Sequence, residues 1–156
     1  MLNQTMERRD KTVQSRPMEI LLVEDCEGDA ILVDEAFKEG KLLVHLNVVR
    51  DGVEAVKFLL KKEPYLDAPR PELVLLDINL PRKNGHEVLR EIKEHESLKN
   101  IPVIVLTSSK VGGDIIQAYD SGATCFITKP FGFYQFMEAV REIEHFWLGL
   151  VTLPPK

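Results

Sequence analysis

The sequence predicts an α/β fold in which helices cover both faces of a doubly wound, five-stranded parallel sheet. Two observations support this prediction. Several apolar runs, of which 73–76 is the clearest, show no alternation with polar residues, as expected of parallel strands that are buried on both faces. These runs alternate with segments of helical periodicity, and right-handed crossovers between parallel strands place the helices on both sides of a sheet.

Five strands and five helices are predicted in alternation. The strands are apolar and end at polar residues, and they cover about 19–24, 44–49, 73–77, 101–106 and 125–128. The helices begin near positions 28, 52, 85, 114 and 134. Gly40 ends the first helix, since glycine commonly follows the last helical turn. Asp51 caps the second helix, and Asn84 opens the third. The fourth helix, which has the weaker pattern, ends near Gly122, and the fifth ends near Leu148.

Length and composition indicate a single globular domain. A chain of 156 residues with 44% apolar content can bury a core. Residues 1–17 are predicted to be a flexible polar leader, 18–148 the domain, and 149–156 a C-terminal extension. The net charge of −5 and the scattered basic residues argue against nucleic-acid binding. Because the sequence lacks a membrane-spanning apolar stretch and a signal peptide, we expect a cytoplasmic protein that does not bind membranes.

Polar side chains follow four of the predicted strands. Glu24 and Asp25 follow the first strand, Asp77 the third, Thr107 the fourth and Lys129 the fifth. Because the carboxyl ends of parallel strands meet at one edge of a sheet, these groups are expected to lie close together. Adjacent carboxylates repel one another, and Mg²⁺ with oxygen ligands would compensate them. With a lysine and a hydroxyl added, this is the equipment for phosphoryl transfer to Asp77.

Each of these residues also has an ordinary structural explanation. A lone aspartate after a strand is usually a turn former or a helix cap, and Thr107 could cap the following helix. A lone lysine usually faces solvent. The functional interpretation therefore depends on the joint placement of the residues at one sheet edge.

Four segments, 21–25, 75–81, 105–109 and 126–130, resemble the motifs of two-component response regulator receiver domains. The resemblance covers about 18–148. It implies a flavodoxin-like sheet with the strand order 2-1-3-4-5. The C-terminal segment 144–154 and the proline-rich loop 63–71 are similar to the single-domain response regulators of cyanobacterial phytochromes. A sensor histidine kinase, of the phytochrome type, is therefore the expected partner.

The resemblance assigns Asp77 as the phosphoacceptor for a phosphoryl group carried by a histidine of the kinase. Asp25, Asp77 and the Asn79 carbonyl group would bind Mg²⁺, and Glu24 would act through a water molecule. The chain would then be a signalling protein that catalyses only its own phosphorylation and dephosphorylation.

The resemblance further implies that Thr107 and Lys129 hold the phosphoryl oxygens and that Phe126 changes rotamer with Thr107. Large apolar side chains continue to the end of the sequence, and those between Phe146 and Leu153 exceed what one helix face can hide. Because exposed apolar patches mark partner surfaces, a homodimer is expected through the fourth helix, the fifth strand, the fifth helix and the tail.

Two alternatives remain at this point. Haloacid dehalogenase-type phosphohydrolases also combine a nucleophilic aspartate with Mg²⁺, threonine and lysine. They need an aspartate two residues after the nucleophile, where this chain has Asn79, and a cap domain. The second alternative is a phosphorylation-independent scaffold. The presence of all the acidic residues of the predicted site, together with Thr107 and Lys129, argues against it.

Overall fold

The computed structural model describes residues 16–107, 122–123, 125–129 and 131–152, with the backbone alone from 147 to 152. The strands are β1 (Met18–Val23), β2 (Val44–Val49), β3 (Leu73–Asp77), β4 (Val103–Thr107) and β5 (Cys125–Thr128). The helices in these ranges are α1 (Glu27–Glu39), α2 (Gly52–Leu59), α3 (Gly85–Glu94) and the C-terminal helix (Phe133–Thr152).

The five strands form one parallel sheet in the order β2-β1-β3-β4-β5. This confirms the predicted fold class and strand order. Every residue of β3 and β4 is buried, whereas β2 and β5, at the two edges, are partly exposed. The continuous apolar runs of the central strands therefore reflect burial on both faces.

Two apolar clusters hold the helices against the sheet. On one face, α2 and α3 pack against alternate residues of the central strands, including Val74 and Val105. On the other face, α1 and the C-terminal helix pack against the remaining residues, including Leu75. Phe136 is fully buried there, with its ring centroid 6.0 Å from that of Phe37. Val140 and Ile143 of the C-terminal helix are also buried on this face of the sheet.

Local signals in the sequence start the helices. The Asp51 side chain accepts a hydrogen bond from the Glu54 N–H at 2.8 Å, which confirms the predicted cap of α2. Asn84 and Glu87 form a capping box at the start of α3. The first helix begins at Glu27, one residue before its predicted start.

Two further boundaries differ from expectation, and some predicted segments lie outside the described residues. Strand β4 begins at Val103, and not at Ile101, because the Ile101 N–H bonds to the Leu98 carbonyl in a turn and Pro102 has no N–H to donate. The C-terminal helix continues to Thr152, past its predicted end near Leu148. The fourth predicted helix lies, up to its end at Gly122, outside the described residues, as do 1–15 of the predicted leader and 153–156 of the predicted extension.

Candidate functional site

The site lies at the carboxyl edge of the sheet, where β3 ends at Asp77. Asp77 pairs with Leu106 in the β3–β4 register, and the Ile78 N–H donates to the Leu106 carbonyl at 3.0 Å. Thr107, the last residue of β4, is therefore beside the end of β3. Asp77 and Thr107 are only 3% and 1% exposed. A carboxylate and a hydroxyl group are thus buried at neighbouring strand ends.

Three carboxylates form an acidic cluster at this edge: Glu24, Asp25 and Asp77. One oxygen from each lies within 4.8 Å of the other two. Glu24 is buried and accepts a hydrogen bond from the Cys26 N–H at 3.1 Å, whereas Asp25 is exposed. Hard oxygen donors at this spacing, with one side open to solvent, fit a divalent cation. The structure therefore brings the predicted acidic residues together.

Lys129 lies beside the acidic cluster and contacts residues from the ends of β1, β3 and β4 and from the first turn of α1. Its Nζ lies 2.5 Å from Glu24 Oε2, 2.9 Å from Asp29 Oδ2 and 3.6 Å from Asp77 Oδ2. Its backbone N–H donates to the Thr107 carbonyl at 2.6 Å. The sequence analysis does not predict the contact with Asp29, which lies just after the predicted start of the first helix. The available signal was its position in the first turn of α1, four residues after Asp25.

The electrostatics of the cluster follow from this geometry. Burial raises the pKa of Asp77 to about 7, and the nearby Glu24 charge adds to the increase, while Lys129 and the Asn79 N–H oppose it. Burial lowers the pKa of Lys129. Its hydrogen bonds to Glu24 and Asp29 and the Asp77 charge outweigh that effect, so the pKa lies above its ordinary value. One ammonium group is therefore shared among several carboxylates.

Asp77→Asn is expected to raise the free energy of unfolding by about 1–2 kcal/mol near pH 8 without divalent cations, because it removes a buried like charge. Since the folded-state pKa of Asp77 is raised, its ionisation reduces wild-type stability as the pH rises from about 4 to about 7. The stability that Asp77→Asn gains over wild type should therefore be smaller near pH 5 than near pH 8. Urea denaturation in EDTA at both pH values measures this difference.

Mg²⁺ should stabilise the wild-type protein, because a ligand that binds only the folded state raises its stability. Mg²⁺ should stabilise the Asp77→Asn variant much less than the wild type. Asp34→Asn, which removes an exposed carboxylate of α1 from its ion pair with Lys38, is the matched control. Equal Mg²⁺ stabilisation of all three proteins would contradict a cation site at Asp77.

The loop after β3 is held closely behind Asp77. The Asn79 N–H donates to Asp77 Oδ1 at 3.1 Å. At Gly85 a Cβ atom would lie 2.4 Å from the Asp77 carbonyl oxygen, so only glycine fits without displacing the strand end. Arg82, which has a positive φ of 68°, bonds to Asp51 at 3.1 Å and ties the loop to α2. These contacts fix the backbone on both sides of Asp77.

Phe126 lies in β5, opposite Val105 and two residues before the Thr107–Thr128 pair. Its side chain is half-buried and packs against the cluster beneath α2 and α3. The structure thus places Phe126 near the end of β4. A coupled movement of Thr107 and Phe126 stays a prediction.

An apolar groove of about 660 Å³ lies between β5, the C-terminal helix and the amino-terminal ends of β1, β3 and β4. Phe126, Ile127, Ile143 and Phe146 are among the residues that line it. Phe146 is 64% exposed, which agrees with the expected apolar surface near the end of the chain. In the described ranges, no helix combines the length and apolar character needed to cross a membrane.

Comparisons with known proteins bear on this arrangement. Residues 20–141 match the model of the response regulator receiver domain. Response regulator Rcp1 of Synechocystis sp. is 46% identical over 138 residues, which cover 88% of this chain and 94% of Rcp1.

Solved structures agree with the sequence comparisons. The phosphorylated cyanobacterial phytochrome response regulator RcpA has a TM-score of 0.79 and 44% identity, covering 89% of this chain and 99% of RcpA. The Mn²⁺-bound form of Rcp1 has a TM-score of 0.78 and 46% identity, covering 88% and 99% of the two chains. These matches favour the receiver prediction over the dehalogenase-type and scaffold alternatives. The chain is a response regulator that belongs to the receiver domain family.

Proposed function

We propose that the protein accepts a phosphoryl group on Asp77 from a phosphohistidine of a sensor histidine kinase and signals through a changed protein-binding surface. The observation that carries this proposal is the position of Asp77. Its buried carboxylate lies within the acidic cluster and 3.6 Å from the Lys129 ammonium group. A nucleophile, a cation site and a fixed positive charge are thereby available at one strand end.

The transfer requires little of the protein beyond positioning and charge neutralisation. A carboxylate oxygen of Asp77 bonds to phosphorus while the P–N bond to the histidine breaks. The imidazole keeps the electron pair of that bond and leaves as a neutral ring, its other nitrogen being protonated. The product is an acyl phosphate on Asp77. Lys129 and the Thr107 hydroxyl group would stabilise the negative oxygens that the phosphoryl group brings.

Mg²⁺ is the proposed cation. Asp25, Asp77 and the Asn79 carbonyl group would bind it directly, with Glu24 acting through a water molecule. It would neutralise the carboxylate and phosphoryl charges during transfer. The donor atoms in the acidic cluster support this assignment, as does the similar protein Rcp1, whose solved structure contains Mn²⁺.

Signal output would follow from a shift between two existing conformations. The phosphoryl group would draw Thr107 towards it, and Phe126 would fill the space that Thr107 leaves. The position of Phe126 on the β5 edge, lining the apolar groove, supports a route from Asp77 to that surface. We propose a kinase of the phytochrome type, because the similar protein RcpA is a cyanobacterial phytochrome response regulator. The match to the receiver domain model supports a cytoplasmic location.

The proposed function is tested by incubation of the protein with acetyl phosphate and Mg²⁺ followed by mass spectrometry. We expect a labile mass increase of one phosphoryl group, which Asp77→Asn abolishes and Asp34→Asn retains. Loss of the signal in EDTA would support the cation requirement. A folded wild-type protein that gains no phosphoryl group would favour a scaffold, and multiple turnover of phosphate esters would favour a hydrolase.

The protein is further proposed to form a homodimer through the face that contains β5 and the C-terminal helix. Phe146, exposed on the wall of the apolar groove, is its proposed anchor. Phe146→Glu is expected to shift the sedimentation coefficient at micromolar concentration from dimer to monomer. Tyr134→Glu is the control, because Tyr134 is 84% exposed on the same helix and does not line the groove. A monomeric wild type, with or without a phosphate mimic, would contradict the dimer.

A further inference from the structure

We propose that Asp29 is a positioning residue that holds the Lys129 ammonium group in the unphosphorylated protein and gives it up when Asp77 is phosphorylated. The inference rests on the proposed phosphoacceptor role of Asp77. It adds a residue outside the predicted site whose effect is to slow phosphorylation.

The distances around Lys129 are unequal. Its ammonium group has three N–H donors, and two acceptors lie within hydrogen-bond range: Glu24 at 2.5 Å and Asp29 at 2.9 Å. Asp77, at 3.6 Å, is beyond that range. In the unphosphorylated protein Lys129 therefore hydrogen-bonds to Glu24, forms an ion pair with Asp29 and lies farther from the phosphoacceptor.

The two flanking acids differ in burial. The Glu24 side chain is completely buried and also accepts the Cys26 N–H, whereas the Asp29 side chain is 33% exposed in the first turn of α1. Ion pairs that are partly exposed are weaker and are replaced readily by water, while breaking a buried pair is costly. Of the two contacts, the one to Asp29 is therefore the one that Lys129 can exchange.

A phosphoryl group on Asp77 introduces oxygens that compete for the same ammonium group. Lys129 can bond to them by releasing Asp29 and keeping Glu24. The energy of the Lys129–Asp29 pair then opposes transfer, and removing Asp29 should accelerate it. With acetyl phosphate, a carboxylate oxygen of Asp77 bonds to phosphorus, the P–O bond to the acetyl group breaks, and acetate leaves with the electron pair.

Asp29 could instead act only as an acidic residue at a helix N-terminus or through its charge near the site. Glu27 provides the matched control, because it is an exposed acid in the same first turn of α1 with no ion pair to Lys129. A dipole effect or a general charge effect would make Glu27→Gln and Asp29→Asn behave alike. A specific ion pair between Asp29 and Lys129 would make the two variants behave differently.

The experiment measures the rate of phosphorylation by acetyl phosphate with saturating Mg²⁺ for the full chain and its variants. Asp29→Asn is expected to react about threefold to fivefold faster than wild type, the factor that a partly exposed ion pair provides. Glu27→Gln should stay close to the wild-type rate, and Asp29→Glu should restore slow reaction. In the absence of a phosphodonor, Asp29→Asn should shift the ¹⁵N signal of the Lys129 ammonium group, and Glu27→Gln should not.

The outcomes separate the inference from the proposed function. If wild type is phosphorylated and Asp29→Asn is no faster than Glu27→Gln, the role of Asp29 is wrong while the phosphoacceptor stands. An unchanged Lys129 signal in Asp29→Asn would also overturn it. If wild type is not phosphorylated at all, the proposed function fails, and the inference fails with it.

Discussion

Lys129→Met is expected to lower the free energy of unfolding by about 3 kcal/mol in the absence of divalent cations, as removal of one partner from a buried ion pair does. Glu24, whose side chain is fully buried, would lose the cation that lies 2.5 Å from it. Asp77 would lose the charge that partly offsets its repulsion from Glu24. Urea denaturation in EDTA near pH 8, above the raised pKa of Asp77, measures the loss.

Two further measurements make this prediction specific to the charge. Mg²⁺ should restore part of the stability, because a divalent cation compensates the carboxylates that Lys129 no longer neutralises. Glu24→Gln combined with Lys129→Met should be more stable than Lys129→Met alone. Lys38→Met is the control, since Lys38 makes an exposed ion pair with Asp34 and its removal should change little. Equal losses for Lys38→Met and Lys129→Met would contradict the central role of Lys129.

Gly85→Ala is expected to lower the free energy of unfolding by about 3 kcal/mol, the upper part of the range for overpacked sites. A Cβ atom at Gly85 would lie 2.4 Å from the Asp77 carbonyl oxygen and 2.6 Å from the Ile78 Cα. Both neighbours are backbone atoms at the end of a central strand, so they cannot rotate away. Relief would require movement of the segment that carries Asp77.

Gly28→Ala is the matched control, because its Cβ would meet no atom within 4 Å in α1, where alanine is the better helix former. We expect this variant to be as stable as wild type or more stable. Chemical denaturation compares the two variants, and acetyl phosphate labelling shows whether Gly85→Ala also slows phosphorylation. An unaltered stability of Gly85→Ala would mean that the loop can move away from Asp77 at little cost.

Much of the fold could be predicted because its signals are local. The uninterrupted apolar residues of β3 indicated burial on both faces, and Asp51 and Asn84 marked helix starts that the structure confirms. The start of β4 was harder to predict. Ile101 belongs to the same apolar run as Val103, and only the turn bond from its N–H to Leu98 excludes it from the strand.

The sequence predicted that the side chains at the strand ends lie close together, and it missed an acidic side chain on a helix. Asp77 and Thr107 end strands whose carboxyl ends must share one edge in a parallel sheet, so their proximity followed from the fold class. Asp29 does not lie at a strand end but in the first turn of α1. Its approach to Lys129 depends on where that helix begins and how it packs on the sheet.

The sequence by itself determined the presence of five strands, the polar groups at the ends of four of them and the resemblance to receiver domains, because these are properties of short segments. Only the tertiary structure decided that the Lys129 ammonium group lies closer to the carboxylates of Glu24 and Asp29 than to that of Asp77. Those four residues come from three separate parts of the chain, 24–29, 77 and 129, and their distances depend on strand order, register and helix packing. The same packing places Gly85 against the Asp77 backbone. Contacts between distant segments are set by the whole sheet, and no local pattern records them.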